Sequence, residues 1–287
     1  MEFDVLNPRI PFGRWIEAFI DWFTDTFGFL LSLLSFVLGG LYDLFFWALN
    51  TPIYLVMILV FAAIAWLASG WKLALFTALG FYAIRALDQW SNSMSTLALV
   101  LVAVLIAVAI SVPLGILAAK SNIVSTIVKP ILDFMQSMPA LAYLVPIIVI
   151  FGIGQVPGAI ATIIFALPPG VRLTELAIRQ VDPEVVEAGH AFGASGGHIL
   201  TRIQLPLAMR TIMAGINQVI MLALSMVVLA GMAGAQGLGG AVISSISSLN
   251  IALGVEAGLA VVIIAVFLDR VTAALGRRTP LERAQAA

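Results

Sequence analysis

The amino-acid sequence predicts an all-α polytopic membrane protein, and three observations carry that prediction. Of the 287 residues, 62% are hydrophobic and only 10% are charged, against about 25% charged in an average soluble domain. Mean hydropathy is +1.11. The apolar residues come in long unbroken runs rather than alternating with polar ones, which is a helical pattern and not a strand pattern. A water-soluble fold of this size would lack the polar surface to stay in solution. The net charge of −1, without a basic cluster, argues against a nucleic-acid partner. The apolar content argues against disorder. With zero cysteines there is no disulfide, no thiolate metal site and no cysteine nucleophile.

A helix needs about 20 apolar residues to cross a hydrocarbon core roughly 30 Å thick, where every backbone polar group must be paired internally. Taken in order, 29–49 stays open between a span and an interfacial helix, because Asp43 lies inside it and Gly39-Gly40 interrupts it. Runs at 53–69, 92–119, 139–153, 207–235 and 254–275 are clear spans, while 71–87 and 157–176 are weaker, giving seven or eight in all. Prolines punctuate three of them: Pro113 inside 92–119, Pro139 and Pro146 near the start of 139–153, and Pro168-Pro169 in 157–176. Each frees a carbonyl and bends its helix, so these are candidate hinges. The first residues include Glu2 and Asp4 instead of a basic n-region, so no cleavable signal peptide is expected.

Orientation follows from the basic residues. With the loop between 176 and 207 placed on the cytoplasmic side, Lys72, Lys120, Lys129, Arg172, Arg179, Arg202, Arg210, Arg270, Arg277, Arg278 and Arg283 all fall at the inner face. Arg9 and Arg14 join them if 29–49 spans. Only Arg85 lands outside, and the connections 152–158 and 236–253 contain no Lys or Arg. The C-terminus is then cytoplasmic.

That loop differs in character from the rest of the chain and holds both of its histidines. Asp182-Pro183-Glu184 reads as a helix start. An Asp N-cap accepts a backbone N–H, Pro suits the first helical position, and an acid suits the positive end of the dipole. The short helix should run through Phe192 and end at Gly193, the usual left-handed terminator. Gly196-Gly197 lets the chain turn before a second helix begins at Ile199. A helix–Gly–helix hairpin in a chain with almost no other soluble mass is a candidate docking device, with a plain interfacial loop as the alternative.

Within the loop, Glu187-Ala188-Gly189, Gly193 and then Ile203, Leu205 and Pro206 fit the pattern E-A-A-x3-G-x9-I-x-L-P. The one departure is Gly189, where Ala is usual. This pattern resembles the coupling-loop signature of permease subunits of bacterial ABC importers. The stretches DFMQSMPALAYLVP (133–146), FALPPGVRLTELAIRQV (165–181), AGINQVIMLALSMVV (214–228) and GLGG (237–240) extend the likeness. They make residues 94–270 similar to the permeases of glycine betaine, choline and proline betaine uptake systems.

The resemblance implies a type I ABC importer transmembrane domain, with a five-helix core and extra N-terminal helices. It divides the chain into an N-terminal region (1–90), a core (91–276) with the coupling loop at 177–206, and a cytoplasmic tail (277–287). It implies four partners: a separate ATP-binding subunit that receives the short helix in a groove, an extracytoplasmic substrate-binding protein, a second copy of this chain, and the lipid bilayer of the bacterial cytoplasmic membrane. In this picture Glu187 makes a charged rim contact, and Ala188, Gly189 and Gly193 let the helix sit close to its partner. Ile203, Leu205 and Pro206 anchor the second half to the bundle. No G-x-x-x-x-G-K-[ST] occurs in the chain, so ATP chemistry belongs to another subunit and no cofactor is expected here. By the same resemblance, high-affinity capture of the solute belongs to the binding protein.

Other polar residues have a structural alternative beside the functional one. Asn217, Gln218 and Ser225 lie inside an apolar run and would either line a translocation path or bond helix to helix. Met221, four residues after Asn217, shares their broad face and is either a gate or packing. His190 and His198 have no third ligand nearby, so a metal site is not expected. Lys129 and Asp133 are spaced as an i,i+4 pair, and Asp269-Arg270 as interface contacts. Three rival functions remain. A permease for another small solute, such as an amino acid, would share the coupling signature. A secondary transporter would carry inverted repeats and buried charges. An intramembrane enzyme would need paired acids, HExxH or a Ser/His/Asp set at one depth. Neither of the last two patterns stands out.

Overall fold

A computed structural model describes residues 12–277. Glu2, Asp4, Arg9, Arg278, Arg283 and nearly all of the tail lie outside the described residues. The described chain folds into helices: α1 (Phe12–Asn50), α2 (Tyr54–Ser69), α3 (Trp71–Ala86), α4 (Trp90–Lys120), α5 (Asn122–Ser137), α6 (Ala140–Phe151), α7 (Gln155–Arg179), α8 (Pro183–Ala191), α9 (Gly196–Ile199), α10 (Leu205–Ala230), α11 (Leu238–Ser247) and α12 (Ile251–Arg277). A π-helical turn, Leu200–Gln204, joins α9 to α10.

Five helical runs are long and apolar enough to cross a membrane: α1, α4, α7, the run from α9 through α10, and α12. The expected span at 139–153 is different. α6 has 12 residues, so it rises only about 18 Å, and it meets α5 at 97° across Met138-Pro139 as a bent pair. The segments 53–69 and 71–87 appear as α2 and α3, with 16 residues each. The helix expected to begin at Ile199 begins at Gly196 instead. The open stretch 29–49 lies inside α1, whose helical dihedrals break at Phe27 and not at Gly39-Gly40. A glycine pair weakens a helix in water by exposing backbone to competing solvent. The pair lowers helix propensity without forbidding helical dihedrals, and the helix continues through it.

The bundle is organised around α7, which packs along both α4 and α10. Its approach to α4 is close because a side chain is missing on each side: a Cβ on Gly115 would lie 2.6 Å from Thr174 Cβ, and one on Gly170 would lie 2.5 Å from Ser111 Oγ. Small residues serve this purpose in membranes, where tight van der Waals packing replaces the hydrophobic drive between helices. The N-terminal helices join the same core. The tilted rings of Phe61 on α2 and Phe81 on α3 lie 4.6 Å apart and meet Phe267 of α12 at 5.6 and 5.4 Å. Tyr42 of α1 hydrogen-bonds the buried Ser95 of α4 at 2.8 Å. After α10 the chain turns back through α11, where Leu238 N–H donates to the buried Thr96 hydroxyl at 2.9 Å.

Candidate functional site

α7 runs almost directly into α8, and local chemistry sets both ends of that short helix. Asp182 caps it, accepting the Glu184 N–H at 2.9 Å, with Pro183 in the first turn. At the other end Gly193 has φ +78°, a left-handed conformation that costs a side-chain-bearing residue about 1–2 kcal/mol. There the N–H of Ala194 reaches the Gly189 carbonyl at 3.1 Å and the N–H of Gly193 reaches His190 at 2.9 Å. This pair of bonds is the Schellman closure of a helix end. The helix ends at Ala191 with Phe192 as its cap, one residue short of the expected end.

The second half of the loop returns through α9 and the π-turn. Leu205 N–H donates to the Leu200 carbonyl, five residues back. Pro206 accounts for the widening: it has no N–H to donate, and its ring would crowd the Arg202 carbonyl four residues back in a regular helix. The two halves touch at Gly189, where a Cβ would stand 2.8 Å from Ile203 Cδ1 and 3.4 Å from Ile199 Cγ1. The departure from the usual Ala therefore falls where the loop folds on itself. Ile199 is buried, and Ile203, Leu205 and Pro206 are half-buried. Leu205 packs on a cluster of Ala177, Ile178, Val181, Ala208 and Ile212 that fixes the loop to α7 and α10.

The outer side of α8 is bare. It has no buried residue; Glu187, Ala188 and His190 are exposed, as is His198 beyond it. Val185 is 42% exposed and Phe192 is 91% exposed. Ala188 and Gly193 thus lie on the free surface, and Gly189 faces inward. A helix fixed at both ends, with small and apolar residues outward, can be gripped by another protein and moved as a unit.

The four candidate path residues divide between two environments. Gln218, Met221 and Ser225 are exposed along one face of α10, and the Ser225 hydroxyl donates to the Met221 carbonyl at 3.0 Å. Asn217 is turned toward α12: its Nδ2 donates to Asp269 Oδ1 at 3.1 Å, and its Oδ1 accepts the Thr272 hydroxyl at 2.7 Å. A cavity of about 240 Å³ between these helices is lined by Arg210, Met213, Asn217 and Thr272.

The charged pairs also differ from expectation. Lys129 does not pair with Asp133 along α5. It reaches Glu175 on α7 at 3.4 Å, while Asp133 takes Arg172 of α7 at 2.5 Å. Asp269 and Arg270 do approach each other, at 3.9 Å. Glu175 was not singled out from the sequence, although a lone carboxylate in an apolar helix is itself a functional signal. At the end away from α8, Arg85 pairs with Asp88 at 3.2 Å and lies 5.5 Å from the Tyr54 ring centroid. Its charge is therefore offset locally.

Residues 111–280 match the family described as binding-protein-dependent transport system inner membrane component. The chain is 48% identical over 265 residues to the glycine betaine transport system permease protein OpuAB of Bacillus subtilis, covering 92% of this chain and 94% of that one. It is 46% identical to the glycine betaine/proline betaine transport system permease protein ProW of Escherichia coli, over 96% of this chain and 79% of ProW. Among solved structures, the inward-facing MetNI methionine ABC transporter superposes with a TM-score of 0.56 at 22% identity, covering 66% of this chain and 92% of its own. That likeness speaks for the fold alone. The chain belongs to the binding-protein-dependent transport system inner membrane components, and its bundle has the fold of a type I ABC importer transmembrane domain.

Proposed function

We propose that this chain is the membrane-spanning subunit of an ABC importer for a methylated-ammonium compatible solute such as glycine betaine, choline or proline betaine. The observation that carries this reading is near-half identity to glycine betaine permeases across almost the whole of both chains. The bare outer side of α8 supports the rest, because it is the surface a separate ATP-binding subunit would need. Closure of that subunit on ATP would displace α8 as a rigid body and swing the attached spans. Glu187, Ala188, Gly189, Gly193, Ile203, Leu205 and Pro206 form the coupling device. Two copies pair so that the α10 face bearing Gln218, Met221 and Ser225 lines the path, with Asn217 holding α10 against α12. A binding protein delivers the solute on the outer side of the bacterial cytoplasmic membrane, and the C-terminus is cytoplasmic.

The test is purification in mild detergent followed by reconstitution. Copurification of an ATP-binding chain, and uptake of labelled glycine betaine that requires both ATP and a binding protein, are the expected results. Micromolar binding of glycine betaine to this chain alone, or uptake without ATP, would replace this reading with a secondary transporter.

A further inference from the structure

Glu175 is the only charged residue buried among the described residues, at 5% exposure. One of its oxygens, Oε1, takes three donors: the Ser125 hydroxyl at 2.7 Å, Arg179 Nε at 2.9 Å and Lys129 Nζ at 3.4 Å. Arg179 continues the network, donating through Nη2 to the Ala118 carbonyl at 2.8 Å and to Asn122 Oδ1 at 3.0 Å. Three helices meet here: the end of α4, the first half of α5 and the last turns of α7. Only three residues, Gln180 to Asp182, separate the cluster from α8.

Two further features give the cluster a mechanical meaning. First, α5 has little else holding it, since Ser125 and Leu132 are its only buried residues. Apart from Leu132 its attachment is polar, through Glu175, through the Arg179–Asn122 hydrogen bond and through the Asp133–Arg172 pair. Second, α4 and α7 both contain prolines above the cluster, at Pro113 and at Pro168-Pro169. Close to these prolines lies Ser111, which faces Gly170 of α7 and whose buried hydroxyl has no partner. Proline-freed carbonyls and an unpaired hydroxyl mark a level at which both helices can bend. Below that level, α4, α5 and α7 are tied together.

We propose that Glu175 is a positioning residue that makes α5 travel with the end of α7, so that displacement of α8 is delivered to the bent α5–α6 pair. This rests on the coupling role proposed above for α8. Buried ion pairs are a weak source of stability but can fix one arrangement of helices against others. Here one carboxylate chooses the register of α5 against α7. Without its charge, α5 keeps Leu132 and the Asp133–Arg172 pair but loses its anchor at Ser125 and Lys129, and is free to lag behind.

The experiment uses the complete transporter in vesicles, with spin labels on cysteines introduced at Ile123 on α5 and Leu176 on α7. Both positions are exposed, and the chain has no cysteine of its own. In the parent, the distance between labels should stay the same with and without nucleotide. In Glu175→Gln the distance should change or broaden on nucleotide binding. ATP hydrolysis should continue while solute moved per ATP falls about tenfold, within the range seen for substitutions between coupled sites. Glu175→Asp, which keeps the charge, should recover most of that ratio. Should Glu175→Gln fail to assemble, Ser125→Ala with Lys129→Met removes the same contacts from the α5 side and should show the same loss. Unchanged solute per ATP in the assembled variant, or a parent distance that shifts with nucleotide, would overturn the role given to Glu175. Absence of ATP-driven uptake in the parent would instead overturn the transport reading beneath it.

Discussion

Gly189 and Ile203 meet across the loop between α7 and α10, 14 positions apart in sequence, with Ile203 Cδ1 only 2.8 Å from where a Cβ on residue 189 would be. The contact joins the two halves of the signature: one half on the short outer helix, the other on the turn entering the bundle. A displacement of α8 would therefore bear on the π-turn that leads into α10.

That contact yields the first prediction. Gly189→Ala gains helix propensity of about 1 kcal/mol, and displacing the flexible end of Ile203 costs about 0.5–1.5 kcal/mol. The two nearly cancel, so uptake and copurification of the ATP-binding chain should stay close to the parent. Gly189→Leu wedges the halves apart and should abolish coupling. If Gly189→Ala is as damaging as Gly189→Leu in reconstituted uptake, the packing account of this contact is wrong.

What could be read from the sequence was whatever local chemistry decides. Asp182-Pro183 starts α8 and Gly193 stops it within a residue of expectation, because caps depend on neighbours only. The span boundary at 139–153 was not legible in the same way. Apolar composition runs across Met138-Pro139, but the chain bends there by 97°. At its far end Gly152 and Gly154 take φ of +79° and +146°. Lys129 and Asp133 have ideal spacing for a pair on one helix, yet each finds a better partner on α7. Glu175 acquires its meaning from Ser125, 50 residues earlier, and no pattern along the chain records that distance. Asn217 and Gln218 are neighbours, yet Asn217 faces α12 and Gln218 lies on the open face of α10, a division set by where α12 lies.

Orientation gives the second prediction. Ser195, the N-cap of α9 inside the loop between α7 and α10, and Ser247, at the end of α11, are both exposed. Single cysteines there meet no competing thiol. A membrane-impermeant maleimide added to intact cells should label position 247 and spare 195 until the membrane is opened. The reverse pattern would invert the topology inferred from the basic residues.

The Asn217–Asp269–Thr272 contacts give the third. Asn217→Ala and Thr272→Ala should each destabilise the reconstituted protein, and a double-mutant cycle should show coupling of about 0.6 kcal/mol, up to about 1.7, as for other interhelical hydrogen bonds in membranes. Gln218→Ala, on the open face of α10, should leave unfolding unchanged and alter transport. A Gln218→Ala unfolding shift as large as that of Asn217→Ala would erase the division between the two faces.

The last prediction concerns α8 itself: its shape should matter more than its charge. Gly193→Val places a β-branched residue at φ +78°, a conformation costing on the order of 1–2 kcal/mol. There is open space around a Cβ at this position within the chain, so the damage comes from backbone strain and from bulk presented to the partner. The Schellman bonds that close the helix would be lost or distorted, and α8 would no longer meet its groove at the right angle. The spans are untouched, so membrane insertion should be normal, while assembly of the ATP-binding chain and uptake both fall. Glu187→Gln keeps the shape of an exposed side chain and removes one charge. An exposed pair of this kind contributes about 1 kcal/mol or less, so coupling should decline modestly. Solute-stimulated ATP hydrolysis, measured in vesicles for both variants beside the parent, separates the effects. Should Gly193→Val couple as well as the parent, α8 does not carry the motion, and the signature would have to be explained by packing alone.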